Sequence, residues 1–290
     1  MKNIDLTHPD KLLYPDDGIR KKDVADYYAR IADYLLPFVK NRPLTMKRYP
    51  EGIHEEGFYN KHAPDYFPDF IPRYTVPMEK DASQMSMVGA DSARALVYLA
   101  GQNTLELHMA LSTMDDIKKP DQMILDFDPS DDDFEKVRNA AFVCKEILDA
   151  LDLPSFVKTT GSRGVHVHVP LLAACSFKEM KEIARKIAVK IHEKCPRYTT
   201  LEQRKNKRED KVFIDYLRND YAMTAIVPYS LRALPKAPVA TPVDWNELAD
   251  KSLQPQSYQL KNIFQRLGQK KDPWKLFTQK RIDARSIRLE

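Results

Sequence analysis

The chain has 290 residues, 43% hydrophobic and 30% charged, with a formal charge of +4 and a pI near 8.7. That is enough apolar content for a packed core and excludes a disordered chain; no apolar run approaches a membrane span, and the N-terminus shows no signal-peptide core. Three cysteines (Cys144, Cys175, Cys195), odd in number and without metal-ligand spacing, exclude a disulfide framework and a cysteine-based zinc site, and imply a reduced, cytoplasmic protein.

In chain order, residues 20–39 place Val24, Tyr27, Tyr28, Ile31, Tyr34 and Leu35 at helical spacing, which predicts an amphipathic helix. Short β-prone runs follow at 43–50, 57–62 and 72–78, then a helix over 90–100 and an alternating strand over 104–111. A strand over 122–128 precedes a long helix over 131–153 with acids in its first turn, as the helix dipole favours. Strands at 155–160 and 164–171 are joined by a tight glycine turn. The helix over 176–194 opens on a Ser-x-x-Glu capping box. Strands at 211–217 and 222–230 precede a Pro-rich stretch and a basic helix near 256–268. The pattern is α+β, with mixed or antiparallel central sheets flanked by helices. With twenty prolines against eight glycines, each glycine position matters.

Within "QMILDFDPS", Asp126 and Asp128 interrupt an apolar strand and point to one face. Either both are solvated at the strand's end or a divalent cation relieves their repulsion. "KVFIDYL" repeats the anomaly at Asp215, where the alternative is a structural hydrogen-bond acceptor. Between them, "KTTGSRGVHVHVP" offers the hydroxyls of Thr159, Thr160 and Ser162, the close-approach glycines Gly161 and Gly164, and the cations Lys158 and Arg163. Such a turn can hold phosphate oxygens on backbone N–H groups, although it is not a Walker loop. His166 and His168 share a strand face and suit a ligand or metal more than a structural role, and Arg232 in "PYSLRA" could grip a phosphate. The charge-dense 202–211 and the basic tail over 261–288 are either solvated faces or nucleic-acid contacts.

Through "DKLLYP", "LDFDP", "TTGSRGVHVHVPL", "KVFIDYLRND" and "IVPYSLRA", the sequence resembles the primase-polymerases of the archaeo-eukaryotic primase superfamily, most closely the polymerase domain of bacterial DNA ligase D, of which free-standing archaeal relatives exist. The resemblance implies one primase-polymerase domain over 1–290, with a DNA- and 5′-phosphate-binding lobe over about 1–110, a catalytic lobe over about 111–250 and a basic helical segment over about 251–290. It assigns two Mn²⁺ or Mg²⁺ ions to Asp126, Asp128 and Asp215, and nucleotide contacts to His108, Thr160, Ser162, Arg163, His166, Arg208 and Arg232. The turn departs from the usual "TSGSKGLH" at Thr160 and Arg163, keeping hydroxyl and charge. Lys11 and Lys21 match lysines that hold a 5′-phosphate; Arg48 and Lys61 match basic DNA contacts, and Phe58 and Tyr59 an aromatic pair that stacks on template bases.

The activity implied is template-directed extension of a DNA 3′ end from an NTP or dNTP, with ribonucleotides preferred, at gaps and breaks carrying a 5′-phosphate. Its setting is non-homologous end joining beside Ku and an ATP-dependent ligase at the nucleoid. Alternatives are a primase of replication or damage tolerance, a metal-dependent hydrolase built on His166 and His168, and a non-catalytic DNA-end-binding module.

Overall fold

The computed structural model describes residues 4–78 and 83–289. The chain forms two compact units, Met1–Asp115 with Thr224–Ala240 and Gln259–Phe264, and Asp116–Met223 with Thr241–Tyr258 and Gln265–Glu290. The first unit therefore takes back two later segments, which a division by residue order near 110 and 250 does not contain.

The first unit begins with β1 (Leu12–Tyr14), β2 (Ile19–Arg20) and α1 (Lys21–Val39). It continues with β3 (Leu44–Arg48), β4 (Phe58–Asn60), β5 (Arg73–Pro77), β6 (Gln84–Val88), α2 (Ala93–Gly101) and β7 (Thr104–Ala110). The second contains β8 (Gln122–Pro129), α3 (Phe134–Ala150), β9 (Phe156–Thr159), β10 (Val165–Pro170), α4 (Phe177–Lys194), β11 (Thr199–Thr200) and β12 (Val212–Asp215). The chain then supplies β13 (Thr224–Ile226) to the first unit and β14 (Pro242–Val243) and α5 (Trp245–Ala249) to the second, and ends with α6 (Ile263–Gln269).

In the first unit the sheet order is β13-β7-β3-β6-β5, with β4 also paired to β3, all antiparallel. α1 buries Val24, Tyr27, Tyr28, Ile31 and Leu35 of the stripe its spacing predicts and leaves Tyr34 half-buried. The tyrosine hydroxyls still need partners, and find them on the carbonyls of Tyr229 (2.6 Å) and Leu105 (2.7 Å). Along β7, Leu105, Leu107 and Met109 are buried on one face, which puts Glu106 and His108 together on the other.

The second unit's sheet runs β11-β12-β8-β10-β9-β14, antiparallel except for β11 with β12. Met123, Leu125 and Phe127 of β8 and Val165, Val167 and Val169 of β10 join one core cluster with Val137, Ala141 and Cys144 of α3 and Met180, Ala184 and Ile187 of α4. Period two then assigns the other face to Asp126, Asp128, His166 and His168. The capping box of α4 forms as expected: Ser176 N–H donates to Glu179 Oε2 (2.7 Å) and Glu179 N–H to Ser176 Oγ (3.3 Å).

Three expectations change. β6 was not expected, because a run of Gln, Met and Ser carries little β signal and pairing with β5 decides it. The strand expected over 222–230 shrinks to Thr224–Ile226, and the basic helix near 256–268 starts only at Ile263. The residues before it spend their backbone groups on turns, such as Ser257 N–H to the Gln254 carbonyl (3.1 Å). Among the described residues no helix is long and apolar enough to cross a membrane.

Candidate functional site

In the second unit, Asp126 lies in the middle of a three-strand row. Antiparallel register sets it opposite His166 of β10 on one side and Asp215 of β12 on the other, and sets Asp128 opposite Phe213. Residues opposite one another in a ladder share a face. The two apolar runs interrupted by aspartate are therefore neighbours, and their three carboxylates converge.

Asp126 is 1% exposed. Its Oδ2 lies 3.2 Å from His166 Nε2 and accepts from Arg218 Nε at 2.5 Å. Arg218 Nε also lies 3.5 Å from Asp215 Oδ2. The charge on Asp126 pushes Asp128 up from its usual 3.8 to about 6, with burial adding to the effect. Asp215 is raised by burial and by Asp126. Arg218 is held more firmly protonated, chiefly by Asp126. Arg218 thus pairs with Asp126 and Asp215, and the charges of Arg218, Arg208 and Arg163 reach Asp128, yet Asp128 and Asp215 both stay raised.

Would this set hold a divalent cation? Among the described residues, no three His, Cys, Asp or Glu side chains already stand in a metal-ligating cluster. The chemistry nevertheless fits. Asp126 Oδ1 is buried with no hydrogen-bond partner among the described residues, an expensive state for a carboxylate oxygen unless a cation satisfies it. Three carboxylates form a hard oxygen set of the kind Mg²⁺ and Mn²⁺ take.

The adjoining turn is built around Thr160. Its Oγ1 donates to the Gly164 carbonyl (3.1 Å) and accepts from the N–H groups of Ser162 and Gly164 (both 3.2 Å). Gly161 sits at φ +66, and a Cβ on Gly164 would stand 2.0 Å from the Phe127 carbonyl oxygen. Thr160 is therefore an internal clasp, while Ser162 and Arg163 reach the surface beside an open cleft of about 310 Å³ that Asp131, Asp132 and Gln256 also line. Arg208 stacks 3.8 Å over Phe213, the residue opposite Asp128, and donates to the carbonyls of Glu202 (2.9 Å) and Gln203 (2.8 Å). That brings part of the basic 202–211 stretch to the acidic row.

His168 departs from expectation. It is fully buried, its Nδ1 is 2.9 Å from Gln122 Oε1, and its ring packs 4.8 Å from Trp274. It is a core residue. His166 meets Asp126.

In the first unit, His108 Nε2 donates to Glu106 Oε2 at 3.0 Å, and Arg232 Nε lies 3.3 Å from Glu106 Oε1. Lys21 is only 3% exposed, its Nζ donating to the Thr7 carbonyl (2.9 Å), so it is no ordinary surface lysine. Burial lowers its pKa, and the charges of Lys11 and Arg48 lower it further, which marks the three as neighbours. Lys11 is paired with Glu51 at 3.0 Å. Phe58 and Tyr59 are 48% and 61% exposed, an uncommon state for aromatics unless a partner covers them. The Arg48 guanidinium lies 5.7 Å over Phe58 and the Lys47 ammonium 5.3 Å over Tyr59. Lys61 is exposed at the end of β4.

Residues 20–274 match the family model of the LigD primase-polymerase domain. The chain belongs to this family. It is 32% identical over 255 residues to the multifunctional non-homologous end joining protein LigD of Mycolicibacterium smegmatis, covering 87% of this chain and 33% of that protein. Against the bifunctional non-homologous end joining protein LigD of Bacillus subtilis it is 32% identical over 273 residues, covering 93% of this chain and 43% of the relative. The chain thus spans about a third to under half of these relatives. Its fold is similar to the polymerase domain of Mycobacterium tuberculosis ligase D, solved in complex with DNA, with a TM-score of 0.88, 28% identity and 96% and 99% of the two chains covered. The LigD primase-polymerase match takes in every candidate site residue above except Lys11.

Sequence reasoning gave no role to Arg218 or Glu106. Arg218 stands three residues after Asp215 within "DYLRND", and Glu106 is buried in the alternating "LELH". Each was detectable as a charge in or beside an apolar strand. The partners were not.

Proposed function

We propose that the chain is a template-directed nucleotidyltransferase that extends a DNA 3′ end at short gaps and breaks in non-homologous end joining. NTPs are its preferred substrates, Mn²⁺ or Mg²⁺ its cofactor. Ku and an ATP-dependent ligase are its partners, and the cytoplasmic nucleoid its setting. The observation that carries this reading is the row Asp215–Asp126 with Asp128 beside it, three carboxylates of which two stay raised despite the arginines around them.

In this reading Asp126, Asp128 and Asp215 hold two cations, which when bound lower the pKa of the attacking 3′ hydroxyl and neutralise charge on the leaving pyrophosphate. The chain's own task is to place the triphosphate. Ser162 and Arg163 on the clasped turn, His166 and Arg208 offer it N–H, O–H and guanidinium donors, while Thr160 keeps the turn in shape. Arg208 is pre-aimed by stacking on Phe213, so little side-chain entropy is lost on binding. In the first unit, His108 and Arg232 offer cationic donors to nucleotide phosphates. Lys11, Lys21, Arg48 and Lys61 attract a phosphate chain, and Phe58 and Tyr59 present ring faces to unpaired bases. A hydrolase built on His166 and His168 loses one of its two histidines to the core.

The test is extension of a gapped duplex with and without a 5′-phosphate, with NTPs or dNTPs in Mn²⁺ or Mg²⁺. Asp126→Ala and Asp215→Ala are each expected to lower extension by roughly a thousandfold or more while DNA affinity stays within about twofold. Full extension by either variant, or shortening of the primer strand, would sink the reading.

A further inference from the structure

Asp126 and Arg218 form a pair of unequal burial. Asp126 is set in β8, between β10 and β12, and its side chain is buried. Arg218 lies in the turn that follows β12 and keeps 30% side-chain exposure. Its Nε donates to Asp126 Oδ2 at 2.5 Å and lies 3.5 Å from Asp215 Oδ2. The guanidinium therefore bridges two carboxylates that the ladder sets opposite one another. The backbone beneath it is fastened on both sides. Asn219, fully buried, accepts the Ile124 N–H at 2.8 Å and donates to the carbonyls of Ile124 (2.6 Å) and Tyr216 (2.9 Å). The Leu217 N–H donates to Asp215 Oδ1 at 2.8 Å. With the turn held to β8 and to Asp215, any change of partner falls to the Arg218 side chain.

Charge and burial decide which partner gives way. A strand carboxylate in the middle of a sheet cannot turn out to water without breaking its ladder, whereas a long, partly exposed arginine can. A guanidinium brings one positive charge, spread over a plane, to a site of three carboxylates. Asp126 Oδ1 is buried beside it with no hydrogen-bond partner among the described residues. A divalent cation carries twice the charge on one atom, which makes it the stronger partner for clustered carboxylates. It would also repel a guanidinium held on the same Oδ2 atoms. Cation and guanidinium are therefore competitors for Asp126 and Asp215.

We propose that Arg218 is a resident counterion that a divalent cation displaces: it neutralises Asp126 and Asp215 in the metal-free protein and gives up both when metal binds. Arg218 thereby sets the cation affinity of the site, since each binding event must first break its ion pairs. This rests on the reading of the three aspartates as a cation site. The opposite role is a donor that holds Asp126 by Oδ2 and so turns Oδ1 toward the metal. It predicts an effect of opposite sign.

The experiment measures cation binding with neither nucleotide nor DNA present. In calorimetry, Arg218→Gln, which keeps a donor but removes the charge, is expected to bind Mn²⁺ roughly tenfold or more tightly than the wild type. Arg218→Lys, which keeps the charge without the planar fork, is expected to fall between the two. A second readout uses the wild-type chain alone and serves if the variants fold poorly. The Nε–H of Arg218, assigned by NMR through the side-chain connectivity of residue 218, is followed as diamagnetic Mg²⁺ is added. Its signal is expected to shift, and its exchange with water to quicken roughly tenfold or more, as the ion pair opens. Unchanged or weaker Mn²⁺ binding in Arg218→Gln overturns the proposal, and so does an Arg218 Nε–H signal that saturating Mg²⁺ leaves in place. If neither chain binds Mn²⁺, the cation site and the proposal fall together. If both bind as expected and neither extends a primer, the nucleotidyltransferase reading falls and the Arg218 assignment stands.

Discussion

Each unit buries an acidic centre on the sheet face opposite its apolar strand residues, and the two are treated oppositely. Glu106 in the first unit meets the His108 ring, the Arg232 guanidinium and a backbone N–H, and its carboxyl is brought down to about 2. In the second, Asp126 and Asp215 share Arg218, and Asp128 beside them is pushed up to about 6 by Asp126 and burial. A satisfied carboxylate is finished and serves the residues around it. In the proposed reading, the under-satisfied cluster is the one that takes a further cation. The difference would then separate a structural charge from a binding site.

The sharpest way to break the comparison is to remove the guanidinium that pairs with Asp126 and Asp215. Arg218→Ala is expected to cost about 3 kcal/mol in urea unfolding with EDTA present, because Asp126 is left buried and uncompensated. Saturating Mn²⁺ is expected to restore most of the loss; an equal deficit with and without metal would mean that no cation replaces the guanidinium. Next, one chemical change should have opposite signs in the two units. Glu106→Gln is expected to destabilise by about 2 kcal/mol, whereas Asp128→Asn is expected to stabilise the metal-free protein by about 1–2 kcal/mol while weakening Mn²⁺ binding in calorimetry. Two changes of the same sign would remove the distinction.

The smallest effect is in pH dependence. A carboxyl raised on folding contributes stability that is complete below its unfolded value and is lost as pH rises through its folded value. For Asp128 the window runs from about 3.8 to about 6. Glu106, lowered from 4.5 to about 2, contributes above 4.5 and loses its contribution as pH falls. The urea midpoint of wild type relative to Asp128→Asn is therefore expected to decline between pH 4 and 6 in EDTA and to flatten in Mn²⁺. A difference that grows with pH in the wild type's favour would reverse the assignment.

Much of the second unit was legible because its anomalies are local. Asp126 and Asp215 break apolar runs whose hydrophobic partners must face a core, and the Ser-x-x-Glu box marks the start of α4. His168 was misjudged for a definite reason. Alternation tells which face a strand residue takes, but what covers that face is Trp274, far along the chain. Lys21 was likewise hidden by context, since the Thr7 carbonyl that its ammonium meets lies fourteen residues earlier and residue spacing does not show the contact.

The order and type of most elements, the three interrupting aspartates and the glycine turn follow from residue type and spacing alone, because side-chain period and turn chemistry are short-range properties. Tertiary structure decided which charges meet. Register set Asp215 against Asp126, and folding brought Arg218 onto both and Arg232 onto Glu106. Electrostatic energy depends on distance and burial, and neither is written along the chain.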